Sequence, residues 1–174
     1  PNLDYIVAKF PRFPFDKFTT VPNKLGTQMK ATGECMGIGS NLEECLLKSA
    51  RSLEIGVCHL HMAKFDELAT EEIVEYIKEF HDDNAFAICE LLRRGMTTAE
   101  LHEITKITEY FLKSFEKIVK MEKALSENKE NAALTREAKE MGFSDKYIAK
   151  LWNTCEKCVY SFRHANGITP NFKM

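Results

Sequence analysis

From Asn41 onward, the chain carries a repeating helical pattern that leaves little room for any other fold class. Apolar side chains recur every three or four residues, which is the spacing of one face of an α-helix. Most of these segments open on a residue suited to capping a helix, and several close on glycine. The opening residues are Asn41, Thr70, Asp83, Thr97, Ser144 and Thr154, and the closing glycines are Gly56, Gly95, Gly142 and Gly167. The pattern predicts an all-α fold, an irregular bundle of about seven or eight short helices.

The first forty residues have a different pattern, with two strand-like stretches. Residues 5–8 form a continuous apolar run that prolines soon follow, and residues 31–38 form a second stretch punctuated by glycine. Two strands alone do not make a stable sheet in water, since a third strand or a packed helix is needed. We therefore expect these strands to belong to the sheet of a neighbouring domain.

Motifs along the whole chain point to a known family. They are residues 3–7 (LDYIV), 11–18 (PRFPFDKF), 29–39 (MKATGECMGIG), 48–54 (KSARSLE), 105–112 (TKITEYFL), 138–145 (AKEMGFSD) and 167–174 (GITPNFKM). Together they resemble the large subunit of carbamoyl-phosphate synthase, where its first ATP-grasp half runs into an all-helical oligomerisation domain. The resemblance implies that residues 1–40 are the tail of the first ATP-grasp (carboxyphosphate) domain. Residues 41–174 would then be the helical oligomerisation and linker domain.

The resemblance also implies a function for the parent protein. That enzyme is an ATP-dependent ligase, which makes carbamoyl phosphate for arginine and pyrimidine synthesis from bicarbonate, two ATP and ammonia. The ammonia comes from glutamine hydrolysed on a partner amidotransferase subunit or domain. The ATP and magnesium sites of the family lie outside this segment, so we expect no catalytic, cofactor-binding or metal-binding residue here. Because the chain starts on Pro1 and stops before the second ATP-grasp half, we expect it to be an inactive piece of a longer polypeptide.

Composition narrows the class of protein further. A net charge of −2 over 174 residues gives no reason to expect a nucleic-acid or anionic-membrane partner. The chain has neither a signal peptide nor an apolar run long enough to span a bilayer, so we expect a cytoplasmic location. Because the chain is long and well supplied with apolar residues, we predict reduced thiols that pack as small apolar side chains. The cysteines are Cys35, Cys45, Cys58, Cys89, Cys155 and Cys158.

Several cysteines, histidines and glycines could suggest metal, redox or phosphate sites, but a structural role explains each of them more simply. A zinc site built from the Cys155–Cys158 pair and the histidines near Cys58 is disfavoured, because a CxxC inside a capped helix lacks the geometry of a zinc knuckle. A thioredoxin-type redox role would need a preceding strand, which the sequence does not have. We interpret His81, His102 and His164 as solvated surface histidines. The glycines at 33, 37 and 39 most simply let the chain bend into the helix that follows, although a phosphate there is an alternative.

Nucleic-acid binding is the alternative function. Residues 144–167 have the spacing of a helix-turn-helix, which would make the protein a regulator that binds DNA. The segment has only a small excess of basic residues, and its second helix opens with Glu156, which is unfavourable beside phosphates. An αα-hairpin packed into the domain explains the same pattern.

Four apolar residues are candidates for contacts between copies or between domains. Phe111 and Phe115 are expected on the inner face of the longest helix, which leaves Tyr110 and Leu112 on its flanks. Tyr76 and Phe86 are expected to lie off the core faces of their helices. Such side chains, gathered into one patch, would mark a contact surface, most simply between two copies in a dimer. The alternative is that they cover the junction with the ATP-grasp halves.

Overall fold

The computed structural model describes residues 4–13, 24–30 and 33–170, and these form two strands followed by nine helices. The strands are β1 (Ile6–Arg12) and β2 (Gly33–Gly39). The helices are α1 (Leu42–Ser52), α2 (Ala63–Asp66), α3 (Thr70–Ile77), α4 (Asn84–Arg93), α5 (Thr98–Thr105), α6 (Glu109–Glu127), α7 (Ala132–Glu140), α8 (Asp145–Trp152) and α9 (Glu156–Ala165). A helical bundle preceded by strands is confirmed, and α2 is the helix that the sequence pattern missed. Within the described ranges, no helix is long and apolar enough to cross a membrane.

Local capping explains where several helices begin. The Asn41 side chain accepts the Glu44 N–H at 2.8 Å and opens α1. Thr97 and Glu100 form the expected capping box of α5, in which each side chain accepts the backbone N–H of the other residue. The Ser144 side chain caps α8 in the same way as Asn41 caps α1. Each of these caps lies where the sequence predicts it.

Two helix starts differ from the prediction by one residue. The N-cap of α3 is Ala69 instead of Thr70, and the N-cap of α9 is Cys155 instead of Thr154. Ala69 has no side-chain acceptor, but its own N–H donates to the Glu72 carboxylate at 2.8 Å. The glutamate therefore satisfies a free donor at the start of the helix, and a hydroxyl is not needed there.

Helix α6 lies at the centre of the bundle, where α1, α4, α5, α7 and α8 all contact it. Its buried stripe includes Leu112, Phe115, Ile118 and Leu125. The Leu125 carbonyl also accepts the indole N–H of Trp152 from α8 at 3.1 Å. The stripe runs nearly the full length of α6, so this helix supplies the axis on which the domain is built.

Two aromatic residues lie on the outside where the sequence predicts them inside. Phe111 is 46% exposed while Leu112 is fully buried, so the start of α6 is rotated from the expected phase. Because Phe111 and Leu112 are both apolar, the spacing of apolar residues fits a helix with either of them facing the core. The spacing of Ile73, Ile77 and Phe80 likewise predicts Phe80 on the core face of its helix. It is 70% exposed instead, because α3 ends at Ile77, three residues before Phe80.

The strands pair with each other in antiparallel order, with Ile6 opposite Gly39 and Arg12 opposite Gly33. The strand β1 continues past the expected end and includes Pro11. Proline is tolerated there because the other edge of β1 has no partner strand among the described residues. Helix packing supplies the support that two strands lack alone, since α1 contacts both strands.

The contact between sheet and α1 is unusually close. The Cys45 thiol donates to the Ile6 carbonyl at 2.9 Å, and the Ser49 hydroxyl donates to the Ala8 carbonyl at 3.2 Å. A Cβ atom on Gly37 would lie 2.4 Å from both the Cys45 carbonyl oxygen and the Ser49 hydroxyl oxygen. Gly37 therefore serves mainly to let β2 lie directly on α1, a role different from the chain bend that the sequence suggests.

This close approach predicts a position-specific cost of adding one methyl group. The Gly37→Ala substitution should lower the free energy of unfolding by about 1–3 kcal/mol, because the sheet must move away from α1. The matched Gly33→Ala substitution in the same strand should change it by less than about 0.5 kcal/mol, since nothing lies within 4 Å of its Cβ. Urea unfolding of both variants measures the difference. Equal losses would contradict the proposed contact.

Candidate functional site

The sheet has an apolar face that points away from α1. Successive side chains of a strand alternate between the two faces, so odd positions in β1 and even positions in β2 lie on this side. Its exposed apolar residues, which we call the outer sheet face, are Tyr5, Val7, Met36 and Ile38. Together they make a clustered apolar surface on the described part of the chain.

A second apolar surface lies at the start of the central helix. Tyr110 is 63% exposed and Phe111 is 46% exposed, and their rings meet edge to face with centroids 5.4 Å apart. We call these two residues the aromatic pair. Both belong to the first turn of α6, and the next residue, Leu112, is anchored in the core. The aromatic pair is therefore presented on a well-supported backbone.

Inside the bundle, a carboxylate from α6 is held by two partners from distant parts of the chain. Arg93 of α4 donates to Glu122 in a bidentate arrangement, with Nε 2.8 Å from Oε2 and Nη2 2.9 Å from Oε1. His59 contacts the same carboxylate, with Nε2 2.8 Å from Oε1. Arg93 also donates to the Leu60 carbonyl at 2.7 Å. We call Glu122, Arg93 and His59 the buried charge network.

Burial and charge act in opposite directions on this network. Burial by itself would raise the pKa of Glu122, but the hydrogen bonds from Arg93 and His59 outweigh it, and the pKa is lowered. For Arg93 burial alone would lower the pKa, and the contact with Glu122 instead raises it. The carboxylate and the guanidinium are thus both charged in the folded protein.

His59 is neutral in this setting. Burial lowers its pKa, and the hydrogen bond and charge of Glu122 offset this only in part. The Nε2–H donates to Glu122, while the buried Nδ1 has no hydrogen-bond partner among the described residues. Protonation of Nδ1 would bury an unpaired donor, which is unfavourable. The ring also stacks on Tyr147 of α8, with centroids 3.8 Å apart.

The buried charge network is suited to holding helices together and not to catalysis. The side chain of His59 is 0% exposed and that of Glu122 is 7% exposed, so a substrate has no direct access to them. The three residues and the ring of Tyr147 connect the segment after α1 to α4, α6 and α8. On the described part of the chain, the outer sheet face and the aromatic pair are two apolar surfaces that stay available for contacts.

Residues 34–167 match the family described as carbamoyl-phosphate synthetase large chain, oligomerisation domain. The chain belongs to this family. The matched range begins in β2 and includes all nine described helices, so it contains both the buried charge network and the aromatic pair. It also contains the α8–α9 hairpin, which is thereby accounted for as part of the oligomerisation domain. The nucleic-acid alternative for that hairpin stays untested.

The four residues predicted to make contacts differ in how exposed they are in the structure. Tyr110 is exposed as expected, but Phe86 and Leu112 are buried in the core, so the prediction that they lie off it was wrong. Helix α4 is covered by α2, α3 and α6, and this leaves Phe86 no exposed side. Tyr76 is half-buried, and its hydroxyl donates to Asp83 at 2.8 Å. The exposed Phe111 was missed, since its spacing also fits an inward position.

The histidines and cysteines require three corrections. The His81 side chain is only 8% exposed and its ring stacks on Tyr76, so it is not solvated, and His102 is half-buried. His164 is exposed, as predicted. The expectation of six reduced thiols was wrong for Cys155 and Cys158, which form a disulfide. Because they lie one helical turn apart, their Cα atoms are 5.2 Å from each other.

No group of three or more histidine, cysteine, aspartate or glutamate side chains in the described ranges could hold a metal ion. The residues weighed for a zinc site have other partners. His59 contacts Glu122, and the Nε2 atom of His61 lies 3.0 Å from an oxygen of Asp66.

Removing the carboxylate charge should destabilise the oligomerisation domain strongly. The Glu122→Gln substitution removes the bidentate counter-charge of the largely buried Arg93 and leaves it only the longer pair with Glu90 at 3.4 Å, so we expect a loss of about 3 kcal/mol in the free energy of unfolding. The control is Glu116→Gln on the same helix, where the lost pair with exposed Lys120 should cost less than about 0.5 kcal/mol. Urea unfolding of both variants at neutral pH tests this. Similar losses of unfolding free energy in the two variants would show that the buried charge network stabilises the domain no more than a surface ion pair does.

The lowered pKa of His59 predicts a pH-dependent stability. As pH falls below about 6.5, the unfolded chain binds a proton at His59 that the folded protein does not bind. The free energy of unfolding should therefore decrease from pH 7 to pH 5, with a contribution of up to about 1.4 kcal/mol per pH unit. In the His59→Gln variant, which keeps an N–H donor for Glu122, this contribution should be absent. Identical pH slopes for the two proteins would refute the assignment of His59 as the titrating group.

Proposed function

We propose that this oligomerisation domain joins copies of a carbamoyl-phosphate synthase large subunit and links the two ATP-grasp halves of each copy. The enzyme makes carbamoyl phosphate from bicarbonate, ATP and ammonia, for arginine and pyrimidine synthesis. The family match over all nine described helices supports this proposal. In this scheme, ATP and magnesium bind to the ATP-grasp halves, and a glutamine amidotransferase subunit or domain supplies ammonia. The enzyme works in the cytoplasm.

The aromatic pair is the observation that carries the proposed contact between copies. Large aromatic side chains supply much apolar area at a small cost in conformational entropy, and they are enriched at interfaces. Tyr110 and Phe111 are held by the first turn of α6, so little ordering is needed when they bind. A two-fold arrangement would bring the pair of one copy against that of the other, and we propose a dimer.

The outer sheet face has a separate role in this proposal. It lies at the N-terminal end of the described chain, within the segment assigned to the tail of the first ATP-grasp domain. Its apolar residues would pack against the rest of that domain, while the edge of β1 that is open among the described residues would let further strands extend the sheet. The sheet is tied to α1 by Cys45 and Ser49, and α1 would then transmit the position of the ATP-grasp half to the bundle.

Sedimentation equilibrium tests the contact between copies. At concentrations up to about 100 µM, where association free energies near −6 kcal/mol become visible, we expect the wild-type chain to form dimers. The Tyr110→Ser/Phe111→Ser double variant should remain monomeric because the apolar contact is lost. The control variant, Lys123→Ser, changes an exposed residue farther along the same helix and should dimerise like the wild type.

Two results would contradict this assignment. A wild-type chain that stays monomeric over the whole concentration range would remove self-association from the isolated chain and leave only the linker role. A double variant that dimerises as strongly as the wild type would place the interface elsewhere, with the outer sheet face as the next surface to alter.

A further inference from the structure

The disulfide between Cys155 and Cys158 lies at the start of α9, a helix that carries no residue of either apolar surface or of the buried charge network. Both cysteines are exposed, as are Glu156 and Lys157 between them. A disulfide that served only to fasten the core would be expected to connect distant segments, because the stabilisation grows with the length of the closed loop. This one closes a single helical turn. Its position therefore favours chemistry at the surface over a purely structural role.

The start of α9 is suited to a sulfur that carries negative charge. Cys155 is the N-cap of this ten-residue helix, and its sulfur accepts the Cys158 N–H at 3.1 Å. The free N–H groups of the first turn and the helix dipole stabilise an anion at that position. A thiolate is the nucleophile in disulfide exchange, and a CxxC pair at a helix N-terminus is the arrangement that favours it. The opposite charges of Glu156 and Lys157 largely balance each other.

The remaining cysteines provide a contrast within the same chain. Burial raises the pKa of Cys89 to about 12 and also raises the pKa of Cys45. The thiols of Cys45 and Cys35 donate to backbone carbonyls of Ile6 and Ser49, which holds them in the protonated form. Cys58 is half-buried, so the pair at the start of α9 consists of the two exposed cysteines among the described residues, and its geometry suits exchange.

The helix that carries the pair is anchored independently of the disulfide. Val159 is fully buried one residue after Cys158. Arg163 donates to the Asp145 carboxylate at 2.7 Å and to the Ile168 carbonyl at 3.1 Å. Opening the disulfide therefore leaves α9 in place, and the two sulfurs stay close enough to re-form the bond.

We propose that Cys155 and Cys158 form a reversible thiol–disulfide exchange site for small thiols and disulfides of the glutathione class. In oxidation, the Cys155 thiolate attacks one sulfur of the small disulfide, forming a mixed disulfide and releasing one small thiolate. Cys158 then loses its proton and attacks the Cys155 sulfur, which releases the second small thiolate. Overall, two protein thiols lose two electrons and two protons, and the small disulfide gains them as two thiols. Reduction by two small thiols is the reverse.

Equilibration with glutathione tests reversibility. The full chain, started either fully reduced or fully oxidised, is held in buffers of graded ratios of reduced to oxidised glutathione. Free thiols are then trapped by acid quenching and alkylation. Mass spectrometry of the peptide that contains both cysteines gives the fraction of the protein with the disulfide. We expect the two starting states to reach the same disulfide fraction at each ratio, with that fraction changing across the series. A disulfide that persists in excess reduced glutathione, or a dithiol that persists in oxidised glutathione, would overturn the proposal.

Two single variants test the role of each sulfur. In Cys158→Ser, the mixed disulfide on Cys155 cannot be resolved and should accumulate. In Cys155→Ser, serine preserves the helix cap, and the Cys158 thiolate should attack oxidised glutathione more slowly than Cys155 does in Cys158→Ser, each attack releasing one reduced glutathione. The expected ratio of rates is about threefold, because a larger thiolate fraction on Cys155 is partly offset by lower intrinsic nucleophilicity. The two rates should converge in the urea-unfolded chain. Equal rates in the folded variants would overturn the assignment of Cys155 as the attacking sulfur.

Discussion

The carboxylate of Glu122 sets a condition that the helical packing has to meet. A charge on the central helix of a bundle is unfavourable by several kcal/mol unless it is paired and fully hydrogen-bonded. Arg93 and His59 meet that condition only if α4 and the segment after α1 lie at fixed positions beside α6. Apolar contacts are non-directional, whereas these hydrogen bonds allow one arrangement. The network thus specifies which elements meet, and leucine and phenylalanine side chains fill the volume around it.

A second constraint acts where the sheet meets α1. Gly37 removes the side chain that would hold β2 away from the helix. The hydrogen bonds from Cys45 and Ser49 then reach the carbonyls of β1 directly. A two-stranded sheet would be marginal in isolation, and this contact attaches it to the bundle. The same contact provides a mechanical connection between the segment before Asn41 and the helices.

Two of the exposed groups with functional potential are held by well-anchored helices. The aromatic pair lies on α6 directly before buried Leu112, and the Cys155–Cys158 pair lies on α9 directly before buried Val159. An exposed group beside a buried one is presented in a defined direction without being covered. This arrangement is suited to recognition and exchange, because little conformational entropy has to be lost when a partner arrives.

The sequence by itself determined the helical class, most helix boundaries and the family, because these depend on signals that lie within a few residues of each other. Asn41, Thr97 and Ser144 cap helices where the pattern places them, since an N-cap bonds only to the N–H groups of the next turn. Tertiary structure alone decided which apolar residues became surface. The apolar periodicity of the sequence fits Phe111 and Leu112 equally well as the inward residue. The packing of five helices around α6 placed Phe111 outside and Leu112 inside. Tertiary structure also decided the buried charge network. His59 and Arg93 lie 63 and 29 residues before Glu122 in the sequence, and they meet it only when the bundle forms.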